Sequence, residues 1–136
     1  MLTKQQTRIL QASINIIIPS DGGPNGCEGG VDRYLFRQFE RDLQHVVPLY
    51  QQGLDALDKE AQAVTGSVYV ALDAEKQEQV LRHIEAGQVQ TIWPIDPVDF
   101  FKMIIEHCAE GFYSDPGNGG NRDGVAWKMI GFEVSG

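Results

Sequence analysis

The stretch LTKQQTRILQASINIIIPSDGG, Leu2 to Gly23, carries the choice of fold class. Thr3 followed three residues later by Gln6 has the form of a capping box, in which two side chains satisfy backbone donors at a helix start. Ile9, Leu10, Ile14 and Ile17 then recur at helical spacing. The run Ile16, Ile17, Ile18 is β-branched and taken alone suits a strand. It lies at the end of a longer helical pattern with no partner strand evident, so the spacing predicts a helix that Pro19 terminates.

Outward from this segment the helical signals continue. Pro19 to Gly30, PSDGGPNGCEGG, is a loop, because so many glycines and prolines sustain neither a helix nor a sheet ladder. Val31, Leu35, Phe39, Leu43 and Val46 then form one apolar stripe, with Arg33, Arg37, Glu40 and Arg41 on a polar face. Pro48 suits the first turn of a further helix through Leu54, Leu57, Ala61 and Val64, which Gly66 stops. Asp73 is a natural N-cap for a helix bearing Val80, Leu81 and Ile84 and closed by Gly87. Asp96, Pro97 and Asp99 open the last helix, whose buried face is Phe100, Phe101, Ile104, Ile105 and Cys108.

Five helices without a convincing pair of alternating strands predict an all-α fold with a Gly-rich C-terminal segment, in which a small helix in GVAWKMIGF is a further candidate. The 136 residues suit a single domain over 1–136. Eleven basic against nineteen acidic residues, a net charge of −8, disfavour nucleic acid and anionic lipid as partners. No apolar run approaches the length of a membrane span.

Few chemical motifs survive inspection. The Pro19–Gly30 loop lacks the Gly-Lys-Ser/Thr ending of a phosphate loop and the Gly-x-Gly-x-x-Gly spacing of a dinucleotide loop. His45, His83 and His107 fall on different helices and outside any His-x-x-x-His or Glu-x-x-His spacing. No Ser sits in a Gly-x-Ser-x-Gly elbow. Cys27 and Cys108 form no Cys-x-x-Cys; they are either a disulfide pair or two free thiols, one in a loop and one buried. In DPGNGGNRDG, Asn121, Asp123 and Gly124 faintly resemble a calcium loop but lack its closing Glu. No catalytic, cofactor or metal residues are therefore assigned. The remaining feature is a tail with Phe112, Tyr113, Trp127, Met129 and Phe132 between tight turns, suited to folding over its own core or to docking on another protein.

The tail GFYSDPGNGGNRDGVAWKMIGF, Gly111 to Phe132, resembles the C-terminal signature of the gluconate 2-dehydrogenase subunit 3 family. The matching positions are Gly111, Tyr113, Ser114, Asp115, Pro116, Gly119, Gly120, Asn121, Asp123, Gly124, Trp127, Lys128 and Gly131. RILQASINIIIPSDGGPNGCEGGVDRYL is similar to the family's first helix, Ile-Pro loop and second helix. One departure is Asn118, where relatives commonly carry an aromatic.

The resemblance implies a non-catalytic small subunit. Its partner is an FAD-containing flavoprotein of the glucose-methanol-choline (GMC) type that oxidises a sugar, sugar acid or polyol, often passing electrons to a cytochrome c subunit. The small chain then stabilises, matures or helps export that large subunit and holds no cofactor itself. Phe112, Tyr113, Asp115, Asn121, Arg122, Asp123, Trp127 and Lys128 are the expected partner-facing residues. Many relatives begin with a twin-arginine signal and MLTKQQTR has none, so the expectation is periplasmic if a signal has been trimmed and cytoplasmic otherwise. The alternative is a stand-alone metal-binding protein or small enzyme using the acidic C-terminal turns and a histidine.

Overall fold

The computed structural model describes residues 1–20 and 24–114. Among these it contains five α-helices and two single-turn 3₁₀ helices, and no strand. The all-α expectation holds, and helix α1, Lys4–Ile17, shows why. Thr3 Oγ1 accepts from Gln6 N at 3.0 Å while Gln6 Oε1 accepts from Thr3 N at 2.9 Å, so the capping box closes in both directions. Ile9, Leu10, Ile14, Ile16 and Ile17 are all buried; Ile16 and Ile17 of the β-branched run complete the last turn of the helix and Ile18 caps it.

The glycine-rich loop packs back on α1. Gly26 N donates to Ile18 O at 2.8 Å, and a Cβ added at Gly26 would collide with the Ile14 side chain. Only glycine permits that approach. Every backbone N–H from Asn25 to Val31 donates within the protein: to Glu28, Ile18, Asn15, Asn25 twice, Cys27 and Gly26. Their donors are thus spent internally, which agrees with the missing phosphate-loop motif.

Helix α2 spans Val31–Phe39, shorter than its apolar stripe predicts. After Phe39 the chain tightens, with Glu40 N donating to Arg37 O, Leu43 N to Gln38 O, and a 3₁₀ turn over Gln44–Val46. Leu43 and Val46 still reach the core, but from this corner and not from a continuous helix. The reversal lets Phe39 meet Tyr50 of the next helix with ring centroids 4.8 Å apart. Packing across the corner outweighs local periodicity.

Helix α3, Val47–Thr65, carries Pro48 in its first turn and ends at Gly66, whose φ of +83° is the left-handed stop. A 3₁₀ turn at Tyr69–Ala71 leads to α4, Ala74–Glu85, where Asp73 Oδ1 accepts from Lys76 N at 2.9 Å. Helix α5, Pro97–Ser114, starts where Asp96 Oδ1 accepts from Asp99 N at 3.0 Å. It packs against α2, α3 and α4, while α1 lies on α2, α3 and α4. The Phe100, Phe101, Ile104, Ile105 and Cys108 face is buried between these helices. No helix among the described residues is long and apolar enough to cross a membrane.

Candidate functional site

The tail signature begins inside a helix. Gly111 to Ser114, expected to open the glycine-rich segment, form the last turn of α5. Gly111 faces α2, where an added Cβ would stand 3.0 Å from Tyr34 Cδ2 and 3.3 Å from Val31 Cγ1. Phe112, expected to face a partner, is 1% exposed and belongs to the core cluster. Its place corrects that expectation: the helical register of α5 points it inward with Cys108 and Ile105. Tyr113 is half-buried against the same cluster. Asp115, Asn121, Arg122, Asp123, Trp127 and Lys128 lie outside the described residues, as does the candidate helix in GVAWKMIGF.

The two cysteines are free thiols. Cys27 Sγ donates to Gln11 O at 3.6 Å on α1, and its backbone N donates to Asn15 Oδ1. Burial, followed by the charge and hydrogen bonding of Asp32, pushes its pKa up to about 12. Cys108 is fully buried on α5, and burial raises its pKa further, with the Cys27 charge adding to the effect. The arrangement matches the free-thiol alternative of one loop and one buried cysteine rather than a bonded pair. Thiols held so far above neutrality are poor nucleophiles.

Polar clusters that spacing did not reveal hold α3 to its surroundings. Glu60 is fully buried and accepts from Gln90 N at 2.8 Å, Thr91 N at 3.1 Å, Thr91 Oγ1 at 2.6 Å and Trp93 Nε1 at 3.4 Å. Burial alone would raise its pKa, but the hydrogen bonds from Thr91, Gln90 and Trp93 outweigh it and hold the carboxyl below its ordinary value. Asp58 Oδ1 accepts from Tyr69 N at 2.9 Å, and its Oδ2 accepts from Gln5 and Gln62.

Tyr50 Oη and His107 Nδ1 are 2.7 Å apart, joining α3 to α5 in the interior. Burial pushes the tyrosine up and the histidine down, with nearby Glu106 and Glu110 opposing the histidine's shift and His45 reinforcing it. Both groups are thus neutral at pH 7, and with the phenol donating the imidazole keeps its proton on Nε2. A buried Asp or Glu flanked by donors leaves no periodic signature. The available signal was a pair of acidic residues, Asp58 and Glu60, among the apolar positions of α3 between Leu57 and Ala61.

Chemically, these clusters are structural ties. Among the described residues no group of three or more His, Cys, Asp or Glu converges to hold a metal ion. The acidic turns of the metal-binding alternative lie outside those residues. Hollows among the described residues mark the surface. A groove of about 370 Å³ is lined chiefly by Leu2, Phe36, Phe39, Gln44 and Val47, and a smaller one of about 240 Å³ by Leu49, Ile95, Asp96, Asp99, Phe100 and Met103.

No curated protein and no solved structure matches the chain. The model of one protein family does, described as gluconate 2-dehydrogenase subunit 3 and matching residues 4–134, so a helical chain tied together by buried polar contacts belongs to the gluconate 2-dehydrogenase subunit 3 family.

Proposed function

We propose that this member of a family named for a dehydrogenase subunit is the non-catalytic small subunit of a heteromeric FAD-dependent dehydrogenase. Its partner is a GMC-type flavoprotein oxidising a sugar, sugar acid or polyol, with a cytochrome c subunit as a candidate electron acceptor. The observation that carries the reading is the family match over residues 4–134. In this role the small chain stabilises and matures the large subunit or assists its export. The contacts are assigned to Tyr113 and to Asp115, Asn121, Arg122, Asp123, Trp127 and Lys128 of the tail signature.

The test is co-expression with the large flavoprotein subunit. The expected result is a higher soluble yield of flavin-loaded enzyme and co-purification of the two chains, with no dye-linked sugar oxidation by the small chain alone. Sugar oxidation at an enzyme-like rate by the purified small chain would overturn the proposal. So would a soluble, flavin-loaded large subunit whose yield is indifferent to this chain.

A further inference from the structure

The loop between α4 and α5 ends in a side chain that nothing in the fold requires. Ile92 is 98% exposed, the most exposed of the large apolar residues described. Singly exposed aliphatic side chains are ordinary on protein surfaces. What sets Ile92 apart is how it is held. The residues on both sides of it are anchored to Glu60: Thr91 through its amide and hydroxyl, Trp93 through its indole N–H. Trp93 also packs on Phe100, with ring centroids 6.1 Å apart. With 91 and 93 drawn inward, residue 92 points out from a pinned backbone. A side chain presented this way loses little freedom on binding, which is the condition for an efficient contact residue.

The surface continues along α3. Leu49 is exposed, and with Ile95, Phe100 and Met103 it lines the 240 Å³ hollow whose rim carries the exposed carboxylates of Asp96 and Asp99. Leu49 and Glu60 stand eleven residues apart on one helix, about 16 Å at 1.5 Å per residue. Ile95, three residues after Ile92 in the same loop, lines the hollow, so at most about 11 Å of chain separates the two, within one contact footprint of ordinary size.

We infer that Ile92 and the Leu49–Ile95–Met103 hollow form a docking surface for the large dehydrogenase subunit, presenting an aliphatic knob and a small apolar socket to a patch bordered by lysine or arginine. The inference rests on the proposed function and adds a contact separate from the C-terminal signature. Charge decides the occupant: the rim is acidic and the chain carries −8 overall, so a basic-rimmed partner is attracted while a second copy of this chain meets acid with acid.

The test uses the full-length chain and the purified large subunit, comparing wild type with Ile92→Ala and Asp99→Asn. Ile92→Ala is expected to weaken binding about tenfold or more with the melting temperature of the free chain unchanged. Asp99→Asn is expected to slow association and to flatten its dependence on salt. Wild-type binding that both variants retain in full would overturn the surface while leaving the proposed function standing. Failure of the wild-type chain to bind removes both. A fall in the free chain's melting temperature on Ile92→Ala would mean that the chain's own residues cover the site. A wild-type dimer that Ile92→Ala dissolves would mean a homotypic contact, and either of these results overturns the assignment to a partner.

Discussion

Two buried polar side chains make opposite demands on this core. Glu60 satisfies four donors, whereas Tyr69 Oη is buried and makes no hydrogen bond among the described residues. Its neighbour Ser13 donates its hydroxyl proton to Ile9 O at 2.8 Å, and burial raises the tyrosine's pKa although Ser13 works the other way. Removing an unsatisfied hydroxyl relieves a desolvation cost, so Tyr69→Phe is expected to leave stability unchanged or raise it by up to about 1 kcal/mol. Removing a fully used acceptor strands its donors, so Glu60→Ala is expected to cost about 2–3 kcal/mol. Urea unfolding of both variants checks the pair. A destabilised Tyr69→Phe would show that the hydroxyl has a partner after all, and a neutral Glu60→Ala would show that water replaces the carboxylate without loss.

At the scale of elements, α3 makes room for a ring of α5 at a glycine. A Cβ added at Gly53 would overlap the ring of Phe100, which is 2% exposed and boxed in by Tyr50 and Trp93. Alanine is favoured over glycine inside a helix by about 1 kcal/mol. Overpacking a rigid buried ring costs about 1–3 kcal/mol. The ring is held between Tyr50 and Trp93, so Gly53→Ala is expected to be destabilising on balance by about 1–2 kcal/mol in chemical denaturation, and a stabilised variant would contradict the contact. Nothing in the spacing of α3 announced this, because the reason for the glycine sits forty-seven residues away in Phe100. Helix starts were legible because a cap is local: Thr3 with Gln6, Asp73 and Asp96 each bond a backbone group three residues on. The end of α2 was not legible, since Leu43 and Val46 keep the helical period and the corner is set by Phe39 meeting Tyr50. The candidate site divides in the same way. Its glycine-and-aromatic signature was visible as a pattern, but only the register of α5 reveals that Phe112 serves the core, and only the Glu60 anchors of the preceding loop that Ile92 is left exposed.

For the whole molecule, buried polar side chains tie α3 to the elements around it, and two of those ties titrate. Tyr50 ties it to His107 on α5, and Glu60 ties it to the loop before α5. The pKa of His107 is lowered from 6.5 by burial, so between that value and its folded value the unfolded chain binds the additional proton. Stability from this group is therefore full above pH 6.5 and declines as pH falls through the window beneath it, with a slope of at most about 1.4 kcal/mol per pH unit. The folded pKa of Glu60 is also lowered, from 4.5, so its contribution persists above that value and is lost as pH falls below it. Both signs agree, and the molecule is expected to weaken in two successive stages on acidification. Denaturant titrations at pH 8, 6, 5 and 4 measure this directly. Tyr50→Phe combined with His107→Leu removes both members of the first joint without orphaning either, so it should abolish the upper stage and spare the lower one. Wild-type stability that stays level from pH 8 to pH 5 would rule out a histidine held neutral by burial, and an upper stage that survives in the double variant would assign it to another group.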